Sequence, residues 1–136
     1  RQLPFLNFLQ FPNTKKIAHN MKFENAWTEV RLKINVNNWF WDTMLASHIF
    51  DNRKLITGLK FQTYVNFGVI DYDSEIRPYL QSIEPKNANS LNRILELIET
   101  PNGKEKLLTY CGLDAVHEYR LAQLQLQTIY QHDLPF

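Results

Sequence analysis

Apolar and polar positions along the chain alternate between short helical stretches and brief aromatic or aliphatic runs. Leu3–Gln10 reads as a short helix, with Pro4 in its first turn and Pro12 just past its end. Lys15–Asn20 is brief and apolar at its centre, the pattern of a buried strand. Phe23, Ala26, Trp27, Val30 and Ile34 recur at helical spacing and predict a helix over Phe23–Ile34. "NNWFWDT" is aromatic and strand-like, and Asp42 or Thr43 is placed to cap a helix through Met44–Phe50. "DNRKLITG" is a loop. Leu59–Phe67 returns to helical spacing and Gly68 stops it. Residues 69–89, punctuated by Pro78 and Pro85, read as loop with one helical turn. A helix over Ser90–Glu99, capped by Asn89 or Ser90, follows, and Thr100-Pro101 then opens the longest helix, to about Tyr130. Strands alternating with helices across short connections predict an α/β layer fold. Only two strands are visible, too few for a free-standing sheet.

Composition adds little to that picture. The chain has 136 residues, 44% apolar and 21% charged, with no repeat or linker-like tract, so a single domain over 1–136 is expected. No apolar run approaches the roughly 18–20 residues that a membrane span needs, and no signal-peptide pattern is present, so no membrane association is expected. Cys111 is the one cysteine, which excludes an internal disulfide and a multi-cysteine metal site and makes a cytoplasmic setting the default. Net charge is only +1, yet it is unevenly placed. Residues 1–60 hold nine Lys/Arg against four Asp/Glu, and residues 61–136 hold six against ten. A basic half suits a phosphate backbone; two differently solvated faces would produce the same bias.

Candidate chemistry lies in two stretches. "KKIAHNMKFENAW", residues 15–27, sets a polar pair, His19-Asn20, three or four residues ahead of an aromatic–acid pair, Phe23-Glu24. "LLTYCGLDAVHEYRL", residues 107–121, lies in the last helix. There Tyr110 and Asp114 are four apart and stack on one face, with Leu107, His117 and Leu121 extending the row. A packing stripe is expected about 100° further round, through Leu108, Cys111, Ala115, Tyr119, Ala122 and Leu126. On that expectation Tyr110 and Asp114 edge the core, where a half-buried carboxylate can take a metal ion. Taken alone, Glu24 reads as an acid favoured by the macrodipole at a helix start. Asp42 reads as a cap, and Trp27, Trp39 and Trp41 read as core aromatics before base-stacking ones. His117 is assigned no role.

The tyrosine-x-x-x-aspartate of Tyr110 and Asp114 resembles the third exonuclease motif of the DEDD superfamily, in its tyrosine branch. "HNMKFENAW" is similar to the second motif, and "WDTMLASHIFDNR" to the segment that follows it in the proofreading 3′–5′ exonuclease domains of family A DNA polymerases, notably phage and bacterial members. The resemblance runs from about residue 3 to the C-terminus. It implies a ribonuclease H-like exonuclease fold, with Glu24 standing where the family usually has aspartate. The family's first motif, aspartate-x-glutamate on the first strand, has no counterpart: no Asp or Glu precedes Glu24. The chain is therefore expected to be the C-terminal portion of such a domain, mostly helical because the N-terminal strands are missing, and inactive by itself.

The implied chemistry is metal-dependent hydrolysis of phosphodiester bonds at a DNA 3′ end. Two hard divalent cations, Mg²⁺ or Mn²⁺, are held by carboxylates and share the charge of the attacking and leaving oxygens. By resemblance, Asp114 and Glu24 are metal ligands, Tyr110 orients the attacking water, and Asn20 and Lys22 touch the nucleic acid. The partners implied are a single-stranded DNA 3′ end, the upstream part of the same domain and a polymerase domain. Two alternatives accompany this reading: a ribonuclease D-like enzyme acting on RNA, and a non-catalytic nucleic-acid-binding or structural module of the same fold.

Overall fold

The computed structural model describes residues 3–84, 86 and 91–131. Among these it is a mostly helical α/β structure with seven α-helices and a two-stranded parallel sheet. The described residues divide into two compact units. One runs to Phe67 and resumes at His117; the other comprises Gly68–Val116.

The first unit begins with α1 (Leu3–Gln10), bounded as its prolines predict. Its last carbonyls, orphaned by the end of the helix, are met from far along the chain. Asn37 donates its backbone N–H to Leu9 O at 3.0 Å and its side chain to Gln10 O at 2.6 Å. Strand β1 (Lys16–Ala18) pairs in parallel with β2 (Trp39–Asp42), and a register shift falls between Lys16 and Ile17. A helical crossover joins them, as parallel strands require. It consists of α2 (Met21–Trp27) followed directly by a π-helical turn, Thr28–Leu32. The helix expected over Phe23–Ile34 therefore starts two residues earlier and stops two earlier, where Lys33 turns to φ 57°.

Two further helices follow, α3 (Thr43–Phe50) and α4 (Leu59–Phe67), and Gly68 at φ 67° ends α4 as expected. The core of this unit is small. Leu9, Ala18, Val36, Ala46, Leu121 and Ala122 are buried alongside Thr43, Ser47, Thr63 and Gln125. Gln125 uses both ends of its amide there. It accepts from Trp41 Nε1 at 2.9 Å and donates to Thr43 O at 3.0 Å and Ser47 Oγ at 2.9 Å.

The second unit holds α5 (Arg77–Leu80), α6 (Ile94–Glu99) and the opening of α7 (Gly103–Gln131). The helix expected from Ser90 begins instead at Ile94. Residues 91–93 pair backward: Ile83 N–H donates to Leu91 O at 3.1 Å, and Arg93 N–H to Tyr79 O at 2.9 Å. The caps foreseen at Asn89 and Ser90 lie outside the described residues. α7 starts at Gly103 rather than at Thr100-Pro101, after a turn in which Gly103 N–H bonds Thr100 O at 3.0 Å. Gly103 packs so closely on the Leu97 carbonyl that a Cβ would collide with it. No helix among the described residues is long and apolar enough to cross a membrane.

The covered face of α7 agrees with the expected one only toward its C-terminal end, where Ala122 is buried and Leu126 half-buried. Leu108, Cys111, Ala115 and Tyr119 are exposed, Leu108 at 72% and Tyr119 at 58%. The row through Leu107, Tyr110, Asp114, His117 and Leu121 is half-buried to buried. Both rows carry apolar residues at helical spacing, so periodicity alone does not choose between them. Tyr110 and Asp114 thus lie on the covered row itself, not at its edge.

Candidate active site

Within the second unit the Asp114 carboxylate is the focus of two tyrosines. Tyr110 stands one turn before it on α7. Tyr72, from the loop ahead of α5, donates its hydroxyl to Asp114 Oδ1 at 2.6 Å. The two rings are stacked, with centroids 6.2 Å apart and planes inclined by 29°. Burial, then the hydrogen bond and negative charge of Asp114, push both hydroxyls well above the ordinary tyrosine range. Both therefore stay protonated donors at any physiological pH. The tyrosines also line a cleft of about 590 Å³, together with Ser74 and the ion-paired Glu75 and Lys106 (2.6 Å).

Sequence reasoning singled out Tyr110 and Asp114 but missed Tyr72. Tyr72 lies in "DYD", a polar stretch with no periodicity, and the local backbone places it. Asp71 adopts φ 50°. Asp73, only 8% exposed, accepts Ile76 N–H and Arg77 N–H on its carbonyl at 3.0 and 2.7 Å. The Arg77 guanidinium then joins the carboxylates of Asp71 and Asp73 on either side of Tyr72.

In the first unit Asn20, Lys22 and Glu24 share the junction of β1 and α2. Asn20 takes a left-handed conformation at φ 75° and offers α2 no side-chain cap. Asp42 supplies the cap from across the sheet. Its Oδ1 accepts from Asn20 N–H at 3.1 Å, Met44 N–H at 2.9 Å and Leu45 N–H at 3.1 Å. Its Oδ2 accepts from Met21 N–H at 2.8 Å. One carboxylate therefore serves the N-termini of both α2 and α3, which agrees with capping as its role and adds a second helix to it. Glu24 is exposed in the first turn of α2, yet partial desolvation raises its carboxyl above the usual range. Lys22 is exposed and borders a cavity of about 760 Å³, walled chiefly by Trp39, Phe40, Trp41, Leu45 and Ile49. Trp39 and Trp41 commit their indole N–H groups to Asn25 Oδ1 and Gln125 Oε1, both at 2.9 Å, as packing residues would.

Among the described residues, no three His, Cys, Asp or Glu side chains group as metal ligands. The candidates are carboxylates taken singly: Asp114 in one unit and Glu24 in the other. As hard oxygen donors they suit Mg²⁺ or Mn²⁺. Compared with protein-family models, with curated proteins and with solved structures, the chain matches none.

Proposed function

We propose that the chain forms part of a metal-dependent 3′–5′ exonuclease module that removes nucleotides from DNA 3′ ends, of the ribonuclease H-like kind found beside family A polymerases. The observation that carries this reading is the Tyr110–Asp114 pair. A half-buried carboxylate lies one turn from a protonated tyrosine hydroxyl whose ring borders a cleft. The second and third motifs follow in the order that the resemblance requires. In this reading Asp114 is a ligand of Mg²⁺ or Mn²⁺, which would relieve charge at the scissile phosphate, and Glu24 is a ligand on the resemblance alone. Tyr110 donates to or orients the attacking water, and Asn20 and Lys22 steady the nucleic acid backbone. An RNA 3′ end would suit the same chemistry, because cations at a phosphate do not read the sugar.

One observation favours a second reading, a non-catalytic module. Asp114 already accepts a hydroxyl from Tyr72, and a carboxylate so engaged can serve as a structural node. The discriminating experiment is digestion of single-stranded and 3′-recessed oligonucleotides by the natural full-length protein. Mg²⁺- or Mn²⁺-dependent loss of 3′ nucleotides, abolished by chelator and by Asp114→Ala, is expected. Tyr110→Phe should cost less, about 10²–10⁴-fold or below, the range of a positioned proton-transfer or water-orienting group. Activity equal in wild type and Asp114→Ala, or surviving chelation, overturns the exonuclease reading. No activity under any metal, with oligonucleotide binding retained, establishes the second.

A further inference from the structure

We propose that Tyr72 is a positioning residue for Asp114, fixing the direction in which that carboxylate presents its lone pairs to a divalent cation; the cation itself rests on the exonuclease reading above. A carboxylate on a helix surface is free to rotate about its side-chain torsions. A donor held at one oxygen stops that rotation, and carboxylates that bind metals are commonly held in this way. Tyr72 has the necessary reach and rigidity. Its hydroxyl is 2.6 Å from Asp114 Oδ1, and its ring is braced on Tyr110 with centroids 6.2 Å apart.

The loop that carries Tyr72 is itself fastened. Arg77 joins the carboxylates of the residues on both sides of it, reaching Asp73 Oδ1 at 2.5 Å and also Asp71. The Asp73 carbonyl anchors the first turn of α5. The clip fixes the origin of the Tyr72 side chain, the stack fixes its ring plane, and the two together aim its oxygen.

The test is Tyr72→Phe, which keeps the ring and removes the hydroxyl. Two readouts are taken. In isotope-labelled protein, three-bond couplings report the Asp114 side-chain rotamer: a single rotamer is expected in wild type and averaging in Tyr72→Phe. In the natural full-length protein, the Mn²⁺ concentration that half-saturates 3′ digestion should rise about 10–100-fold, while KM for the oligonucleotide stays put. Asp114 remaining in one rotamer, or an unmoved Mn²⁺ dependence in an active enzyme, overturns the proposal. So does a change confined to thermal stability, which would reduce Tyr72 to packing. If Tyr72→Phe does not fold, Arg77→Gln loosens the same clip with Tyr72 intact and should shift both readouts in the same direction. A wild type that digests nothing, but whose Asp114 rotamer still depends on the Tyr72 hydroxyl, sinks the exonuclease reading and leaves the positioning role standing.

Discussion

Asp42 joins the starts of two helices. Four backbone N–H groups converge on its two oxygens, and they belong to the first turns of two different helices. Removing one N-cap typically costs about 0.5–2 kcal/mol, so Asp42→Ala should destabilise by about 1–4 kcal/mol if the two caps add. That is a large share of a domain's usual margin of about 5–15 kcal/mol. Asp42→Asn separates the two roles. Its remaining carbonyl oxygen can still serve the bonds now made to Oδ1, while its amide would face the Met21 N–H and spoil the cap of α2 alone. Urea unfolding of the three proteins checks this. The expected order is wild type, Asn, then Ala, and an alanine variant as stable as wild type would show that neither cap matters. The local half of this arrangement, Asp42 ahead of α3, is legible in the sequence. The distant half is not, since Met21 and Asp42 meet only through the pairing of β1 with β2.

At the scale of elements, legibility follows how local each signal is. The bounds of α1 and α4 are set by Pro4, Pro12 and Gly68, residues inside or beside the helices, and the sequence places them correctly. α6 is misplaced because Leu91 and Arg93 bond the Ile83–Tyr79 region, a competition invisible to helical periodicity. The covered face of α7 is misjudged over Leu108–Tyr119 for a related reason: two rows of the helix carry apolar residues at helical spacing, and packing decides between them. Tyr72 shows the limit most plainly, because a loop residue aimed by a flanking Asp–Arg–Asp clip has no periodic signature at all. One element junction offers a direct test. Gly103 begins α7 against the Leu97 carbonyl and the Thr100 hydroxyl. Alanine is the better helix former by about 1 kcal/mol, so propensity alone predicts that Gly103→Ala stabilises. Contact predicts the reverse, because the added methyl must push apart the α6–α7 turn, and overpacking of this kind costs about 1–3 kcal/mol. The collision is with backbone, which cannot swing aside as a side chain would, and a net loss of stability is expected. A higher midpoint in chemical denaturation would show that the turn yields freely.

For the whole molecule, the question is what its surface invites. Many large apolar side chains are exposed, among them Leu108 at 72%, Ile49 at 72%, Phe5 at 55% and Tyr119 at 58%. Among the described residues the sheet has two strands, so each strand has one edge with no strand beside it. Exposed apolar side chains and open strand edges both favour association. Charge uneven along the sequence offers a rival cause, since basic stretches of one copy would attract acidic stretches of another. Salt separates the two. Attraction between exposed charges weakens as the Debye length falls to about 3 Å at 1 M salt, whereas sulfate strengthens apolar burial. We expect the 136-residue chain to associate with rising concentration in sedimentation velocity, and the association to persist or grow in ammonium sulfate. Leu108→Glu then distinguishes the surfaces. It replaces a mostly exposed residue with a good helix former, so stability should hardly change while association falls if the outer row of α7 takes part. A chain that sediments as one monomeric species at every concentration, or whose association dissolves in salt, would remove apolar exposure as the cause.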